Sequence, residues 1–173
     1  MAIWQVTADP DCKQRGRITG PSFDEACALG KGGMVPEEEG REGDEKTPMG
    51  TYAFRRVFYR PDREDAPFTS LPVREISPEL GWCDCPESVF YNKLVQLPFS
   101  ESHERLWRSD RLYDLLLVIG HNDAPVVPAL GSCVFVHVAR EGFTPTLGCV
   151  ALEAHALRQL IRRIAPGDQL RIG

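Results

Sequence analysis

The sequence predicts a mostly-β domain of the α+β class. Three features predict it. Glycine (15) and proline (14) punctuate the chain every few residues. The segments between them are short and rich in β-branched, aromatic and aliphatic residues. One long stretch near the C-terminus carries its apolar residues at helical spacing.

In chain order, the β-type runs are residues 3–7, 16–19, 51–59, 93–97, 112–119, 132–139 and 169–172. Residues 51–59 contain Tyr52, Phe54, Val57 and Tyr59, with Arg55 and Arg56 interrupting the alternation, which predicts a bulge or a half-exposed strand. Residues 115–119 and 134–138 are apolar on both faces, as interior strands are. A short helix is expected over 103–108, with Ser102 as its N-cap. The long helix spans 153–164: Leu157, Leu160, Ile161 and Ile164 share one face, while Arg158, Arg162 and Arg163 fall elsewhere. Pro166-Gly167 ends it and turns the chain into a last strand. No repeat, low-complexity tract or domain boundary interrupts this pattern, so residues 1–173 read as one domain.

Composition narrows the function. A chain of 173 residues is long enough to bury a core without staples. A net charge of −5 excludes a generic basic nucleic-acid binder. The longest clean apolar run, 115–119, is far short of a membrane span. Residues 37–46 hold six acids and two bases, hence −4 of the −5, and read as a solvated loop or as a loop beside a site that holds an ammonium group. The first twelve residues show no export signal. The six cysteines form no regular disulfide framework.

One cysteine differs from the rest. Cys149 follows Gly148 and precedes the long helix, a place where a helix N-terminus favours a thiolate and where the backbone N–H groups of Gly148 and Cys149 can converge on one oxyanion. His137 lies twelve residues earlier, on a strand face shared with Cys133, Phe135 and Ala139. A lone histidine there is ordinarily a hydrogen-bonded core residue. Paired with Cys149 it becomes the base of a nucleophile–base couple.

These residues carry a resemblance. Gly131-Ser132-Cys133-Val134-Phe135-Val136-His137, followed by Thr146-Leu147-Gly148-Cys149-Val150, resembles the histidine and Ser/Thr-x-Gly-Cys signature of the YkuD-type L,D-transpeptidases. Thr47-Pro48-Met49-Gly50-Thr51-Tyr52 is similar to a second segment of that family. Tyr91-Asn92, Ser102-His103-Glu104, Leu106-Trp107-Arg108, Tyr113-Asp114 and Gly120-His121-Asn122 resemble its short, single-domain alpha- and betaproteobacterial subgroup. The resemblance spans roughly residues 16–173.

It implies a β-sandwich of mixed sheets with a C-terminal helix beside the catalytic cysteine. It also implies a cysteine acyltransferase acting on peptidoglycan stem peptides, donor and acceptor, in the cell envelope or periplasm, without cofactor or metal. Cys149 would be the nucleophile and His137 the base. Gly148 and Cys149 N–H groups would hold the oxyanion, and Thr146, Asn122, His121, Arg140, Tyr91 and Trp107 would surround the substrate. The product expected from the subgroup is a link from alanine 1 to diaminopimelate 3 (1,3), otherwise a 3,3 link. Two departures stand out: Ala151 replaces the arginine or asparagine common two residues after the cysteine, and Val138 replaces the usual small or polar residue after the histidine. Arg108, Arg140, His121 and Asn122 are the candidates for the carboxylate grip that Ala151 lacks. The alternatives are an L,D-carboxypeptidase or endopeptidase on the same stems, and a non-catalytic binding module held by zinc on Cys83, Cys85, His137 and Cys149. Read as residues alone, Trp82 and Trp107 are core or groove walls and Asn122 is an Asx-turn former.

Overall fold

The computed structural model describes all of residues 1–173. Its strands are β1 (Ile3–Asp9), β2 (Cys12–Gly20), β3 (Phe23–Ala28), β4 (Met34–Pro36), β5 (Thr47–Tyr59), β6 (Val73–Glu75), β7 (Leu80–Cys83), β8 (Leu94–Gln96), β9 (His103–Arg105), β10 (Leu115–Ile119), β11 (Phe135–Val138), β12 (Val150–Leu152) and β13 (Gln169–Ile172). One helix, α1 (Ala154–Arg163), precedes the last strand. The mostly-β, mixed-sheet architecture with a C-terminal helix is as the sequence predicts.

The large sheet runs β10-β11-β12-β3-β2-β1-β13-β5-β4, and β10 also pairs with β5. The pairing path therefore closes on itself. β5 makes this possible by its length: Gly50–Ala53 pair with β13 and Phe54–Tyr59 pair with β10. The register shifts where Ile119 faces Phe54 and Val118 faces Arg56, so Arg55 is the extra residue of a bulge. The bulge resets the alternation. Tyr52 and Phe54 before it, and Val57 and Tyr59 after it, all enter the same core.

Two cores flank the wall of β10 and β11. The inner one gathers Leu115, Leu117, Ile119, Val136, Val138, Val150 and Leu152 with the apolar face of α1, namely Ala156, Leu157, Leu160, Ile161 and Ile164. Glu153 caps the helix by accepting from the N–H groups of His155 and Ala156. The outer core gathers Leu116, Val118, Phe135 and Cys149 with Phe58, Ile76, Leu80, Trp82, Leu106 and Tyr113. Its roof is a three-stranded sheet, β8-β7-β9. Apolar residues on both faces of 115–119 thus reflect two cores and not a membrane; no helix is long and apolar enough to cross one.

Two local expectations change. Residues 103–105 form strand β9, paired with Gly81–Cys83, and no helix forms over 103–108. Backbone pairing to the roof sheet outweighs the weak helical pattern, and the Ser102 hydroxyl donates to Asp84 (2.6 Å) in place of capping. The strand β12 intervenes between Cys149 and α1, and the helix packs in the inner core, across the sheet from Cys149. The α1 N-terminus therefore does not point at the thiol.

Candidate active site

The parallel pairing of β11 with β12 sets His137 opposite Ala151 and Val136 opposite Val150. Cys149 stands one residue before β12, so His137 and Cys149 are diagonal neighbours on the outer face. Both line one cleft of about 520 Å³. Its walls are residues 40–46 on one side, the 144–149 loop on another, and Glu104, Arg108 and Tyr113 beneath the roof sheet.

The loop that delivers Cys149 is stitched at several points. Thr146 bridges to Gly30, donating its N–H to Leu29 O while its carbonyl accepts from Lys31. The Thr146 hydroxyl donates to Cys149 O (2.7 Å) and accepts from the Gly148 N–H (3.1 Å). Gly148 has φ +136, and a Cβ there would lie 2.8 Å from Lys46 O, so only glycine passes. This fixes the turn against the segment that leads into β5. It also spends the Gly148 N–H, contrary to the expectation of two free oxyanion donors. The Cys149 N–H has no acceptor in the chain.

His137 is buried, and its Nδ1 donates to Val138 O (2.9 Å). That bond fixes the tautomer and leaves Nε2 with its lone pair. The Cys149 Sγ donates to Cys133 O (3.1 Å) and accepts from the Phe135 N–H (3.4 Å). Cys133 turns its carbonyl to the sulfur through a left-handed backbone, φ +55, an uncommon conformation for this residue type. Burial pushes the Cys149 thiol up to about 12, while the Phe135 N–H opposes that shift. Burial holds His137 down to about 4, against the Val138 carbonyl that favours its charged form. At neutral pH the resting couple is therefore thiol and neutral imidazole, and not a thiolate–imidazolium pair.

The other candidates separate into those in the cleft and those behind it. Arg140 lines the cleft and meets Asp110 (3.3 Å), which also holds Arg108 in a bidentate pair (2.8 and 2.7 Å). Two guanidiniums thus share one carboxylate beside His137. His121 lines the far end, 3% exposed, with neither ring nitrogen hydrogen-bonded and Glu37 4.0 Å away. Tyr91 and Asn122 are buried outside the cleft lining. The Tyr91 hydroxyl donates to Glu42 and accepts from the Gly131 N–H, and Glu42 also accepts from Ser132 (2.7 Å). Asn122 bonds Val127 and the Gly131 carbonyl, the turn-forming role. Trp107 lies outside the cleft with the Arg60 guanidinium 3.6 Å above its ring, a packing place and not a substrate wall. Those pairs satisfy long side chains at the roof's edge, which the sequence alone does not reveal.

Glu104, Tyr113 and Cys133 are cleft residues not singled out as site residues from the sequence. The only signal for the first was the Ser-His-Glu segment of the resemblance. No three His, Cys, Asp or Glu side chains gather as a metal site, so the zinc reading has no ligand set.

The family description "L,D-transpeptidase catalytic domain", YkuD, matches residues 13–172. No curated protein and no solved structure matches the chain.

Proposed function

The chain belongs to the YkuD family of L,D-transpeptidase catalytic domains, and we propose that it cross-links peptidoglycan stem peptides through a thioester on Cys149. The observation that carries this reading is one cleft holding the Cys149 sulfur and His137 as diagonal neighbours, with His137 Nδ1 tied to Val138 O.

Because the resting couple is neutral, acylation is concerted in its proton transfer. A donor carbonyl carbon meets Sγ while the thiol proton leaves Cys133 O for His137 Nε2. The tetrahedral oxygen accepts from the Cys149 N–H. Collapse expels the donor's leaving amine, which takes its proton from His137. The side-chain amine of diaminopimelate on a second stem then attacks the thioester, an amide forms, and the thiol is restored. Water in place of the amine gives hydrolysis, the activity of a carboxypeptidase or endopeptidase.

Arg108 and Arg140, with one carboxylate between them, supply a positive end for a stem carboxylate in place of the side chain that Ala151 lacks. We assign the 1,3 link to this enzyme because the resemblance is to the subgroup associated with it. The substrate puts its site of action in the cell envelope or periplasm. Tyr91 and Asn122 act by holding the 129–132 loop, and Thr146 by holding Cys149. Muropeptides incubated with the protein and read by tandem mass spectrometry test the linkage: fragments joining alanine 1 to diaminopimelate 3 are expected, and dimers joined only through two diaminopimelates overturn the 1,3 assignment.

A further inference from the structure

The Glu104 carboxyl sits in the same cleft as Cys149, beneath the roof sheet. Its Oε1 accepts from the Tyr113 hydroxyl and faces Arg108 Nη1 at 3.7 Å. The Cys133 thiol also hydrogen-bonds the carboxyl, and Oε2 is not sealed from solvent. The side chain is 28% exposed, so Oε2 opens to the cleft. Tyr113 in turn packs edge-on against His137, with ring centroids 5.5 Å apart. The carboxyl is therefore held by Tyr113, Arg108 and Cys133, and its exposed part opens to the cleft that holds the nucleophile.

That placement is costly for the free enzyme. The negative charge of Glu104 pushes the thiols of Cys133 and Cys149 further up, and so works against the thiolate. Burial in turn raises the Glu104 carboxyl, against the Tyr113 hydroxyl, Arg108 and the neighbouring Cys133 thiol; Asp84 adds to the rise. Once Cys149 is a neutral thioester, the first penalty vanishes. What remains is an acceptor oxygen aimed at incoming cationic groups.

We infer that Glu104 receives the acceptor's ammonium group beside the Cys149 thioester and takes its first proton. The inference rests on the proposed transpeptidation. An ammonium group must lose two protons to become an amide nitrogen. One passes to Glu104 Oε2, freeing the lone pair. The amine nitrogen bonds to the thioester carbonyl carbon, and the C–S bond breaks. The second proton passes to His137 Nε2 and then to the departing Cys149 sulfur. Glu104 returns its proton to water. His137 alone is poorly suited to the first transfer, because burial disfavours its charged form.

The test separates the two half-reactions. A defined tetrapeptide-stem muropeptide is the donor, free diaminopimelate the cationic acceptor, and hydroxylamine an acceptor already neutral at pH 7.5. Intact-mass measurement of the Cys149 thioester reads acylation. The ratio of amide to hydrolysed product reads acceptor use. For Glu104→Gln we expect acylation at least as fast as in the wild type, because the charge that opposes the Cys149 thiolate is gone, and hydroxylaminolysis that is retained, with KM for diaminopimelate raised and the amide-to-hydrolysis ratio lowered by about 10- to 100-fold, the worth of a charge-assisted hydrogen bond. An unchanged ratio with diaminopimelate overturns the inference, as does an equal loss with hydroxylamine. Should Glu104→Gln not acylate, Glu104→Asp, which keeps the charge but withdraws it by one methylene, replaces it: a raised diaminopimelate KM supports the inference and an unchanged one overturns it. A wild type that forms no thioester refutes the transpeptidase reading itself, which is a different failure.

Discussion

At the scale of residues, the six cysteines differ by burial more than by sequence. Cys12 and Cys85 are partly exposed, whereas Cys27, Cys83 and Cys149 are buried. The thiol proposed as nucleophile is thus among the slow ones in the resting protein. With its thiol pushed up to about 12, the thiolate fraction of Cys149 grows about tenfold per pH unit through the neutral range. Alkylation by iodoacetamide followed by peptide mapping should modify Cys12 and Cys85 well ahead of Cys149 at pH 7, with the Cys149 rate climbing steadily to pH 10. A fast, pH-independent Cys149 near neutrality contradicts the neutral resting couple.

His121 makes a second residue-level prediction. Burial holds it down to about 4 against an ordinary 6.5. The unfolded chain therefore binds a proton that the folded chain refuses, and stability falls as pH drops from about 6.5 towards 4 while this group contributes no slope above that window. His121→Phe removes two unpartnered buried nitrogens. It should raise stability by about 1–3 kcal/mol and flatten that acid limb in denaturant titrations at pH 5. A less stable variant with the same acid limb contradicts this account.

At the scale of elements, the loop 144–149 carries the precision of the site. Thr146→Val keeps the shape but strips one acceptor from Gly148 N–H and one donor from Cys149 O. A loss of about 1–3 kcal/mol is expected by thermal unfolding, together with a lower acylation rate. Unchanged acylation denies the loop its positioning role. Much of this element level was legible in the sequence. The face of α1 and the interior character of 115–119 and 134–138 followed from periodicity, and Arg55-Arg56 marked the bulge. The strand β12 was not legible, because three residues, Val150–Leu152, carry no period of their own. Strand β9 was hidden for the same reason, since only its partner β7 makes it a strand. At the site, Cys149 and His137 were legible as a pair. Glu104 was not, because its place depends on the roof sheet, whose pairing no local pattern encodes.

At the scale of the whole molecule, the closed pairing path through β5 ties the inner core to the outer one. Trp4 sits in the inner core and Trp82 in the outer. Variants that keep one tryptophan each should unfold in guanidinium with coincident midpoints. Separated midpoints mean that the roof sheet opens on its own. The site lies where the two cores share a wall, which explains why the proposed nucleophile and base, Cys149 and His137, are so deeply buried. The outer face of β11–β12 is at once core for Phe135 and floor of the cleft at His137. Of the acidic segment 37–46, Glu42, Asp44 and Glu45 line the same cleft together with Arg41 and Lys46, while Glu37, Glu38 and Glu39 lie outside its lining, so only part of the charge asymmetry visible in the sequence belongs to the site's wall.

The central claim is that Cys149 carries the acyl group. Purified muropeptides incubated with the wild type, Cys149→Ala and His137→Ala, followed by mass spectrometry of the products, test it most directly. The account predicts new cross-linked dimers with the wild type, none with Cys149→Ala, and a loss of about 10²-fold or more in rate with a folded His137→Ala. Dimers formed by Cys149→Ala at the wild-type rate contradict it.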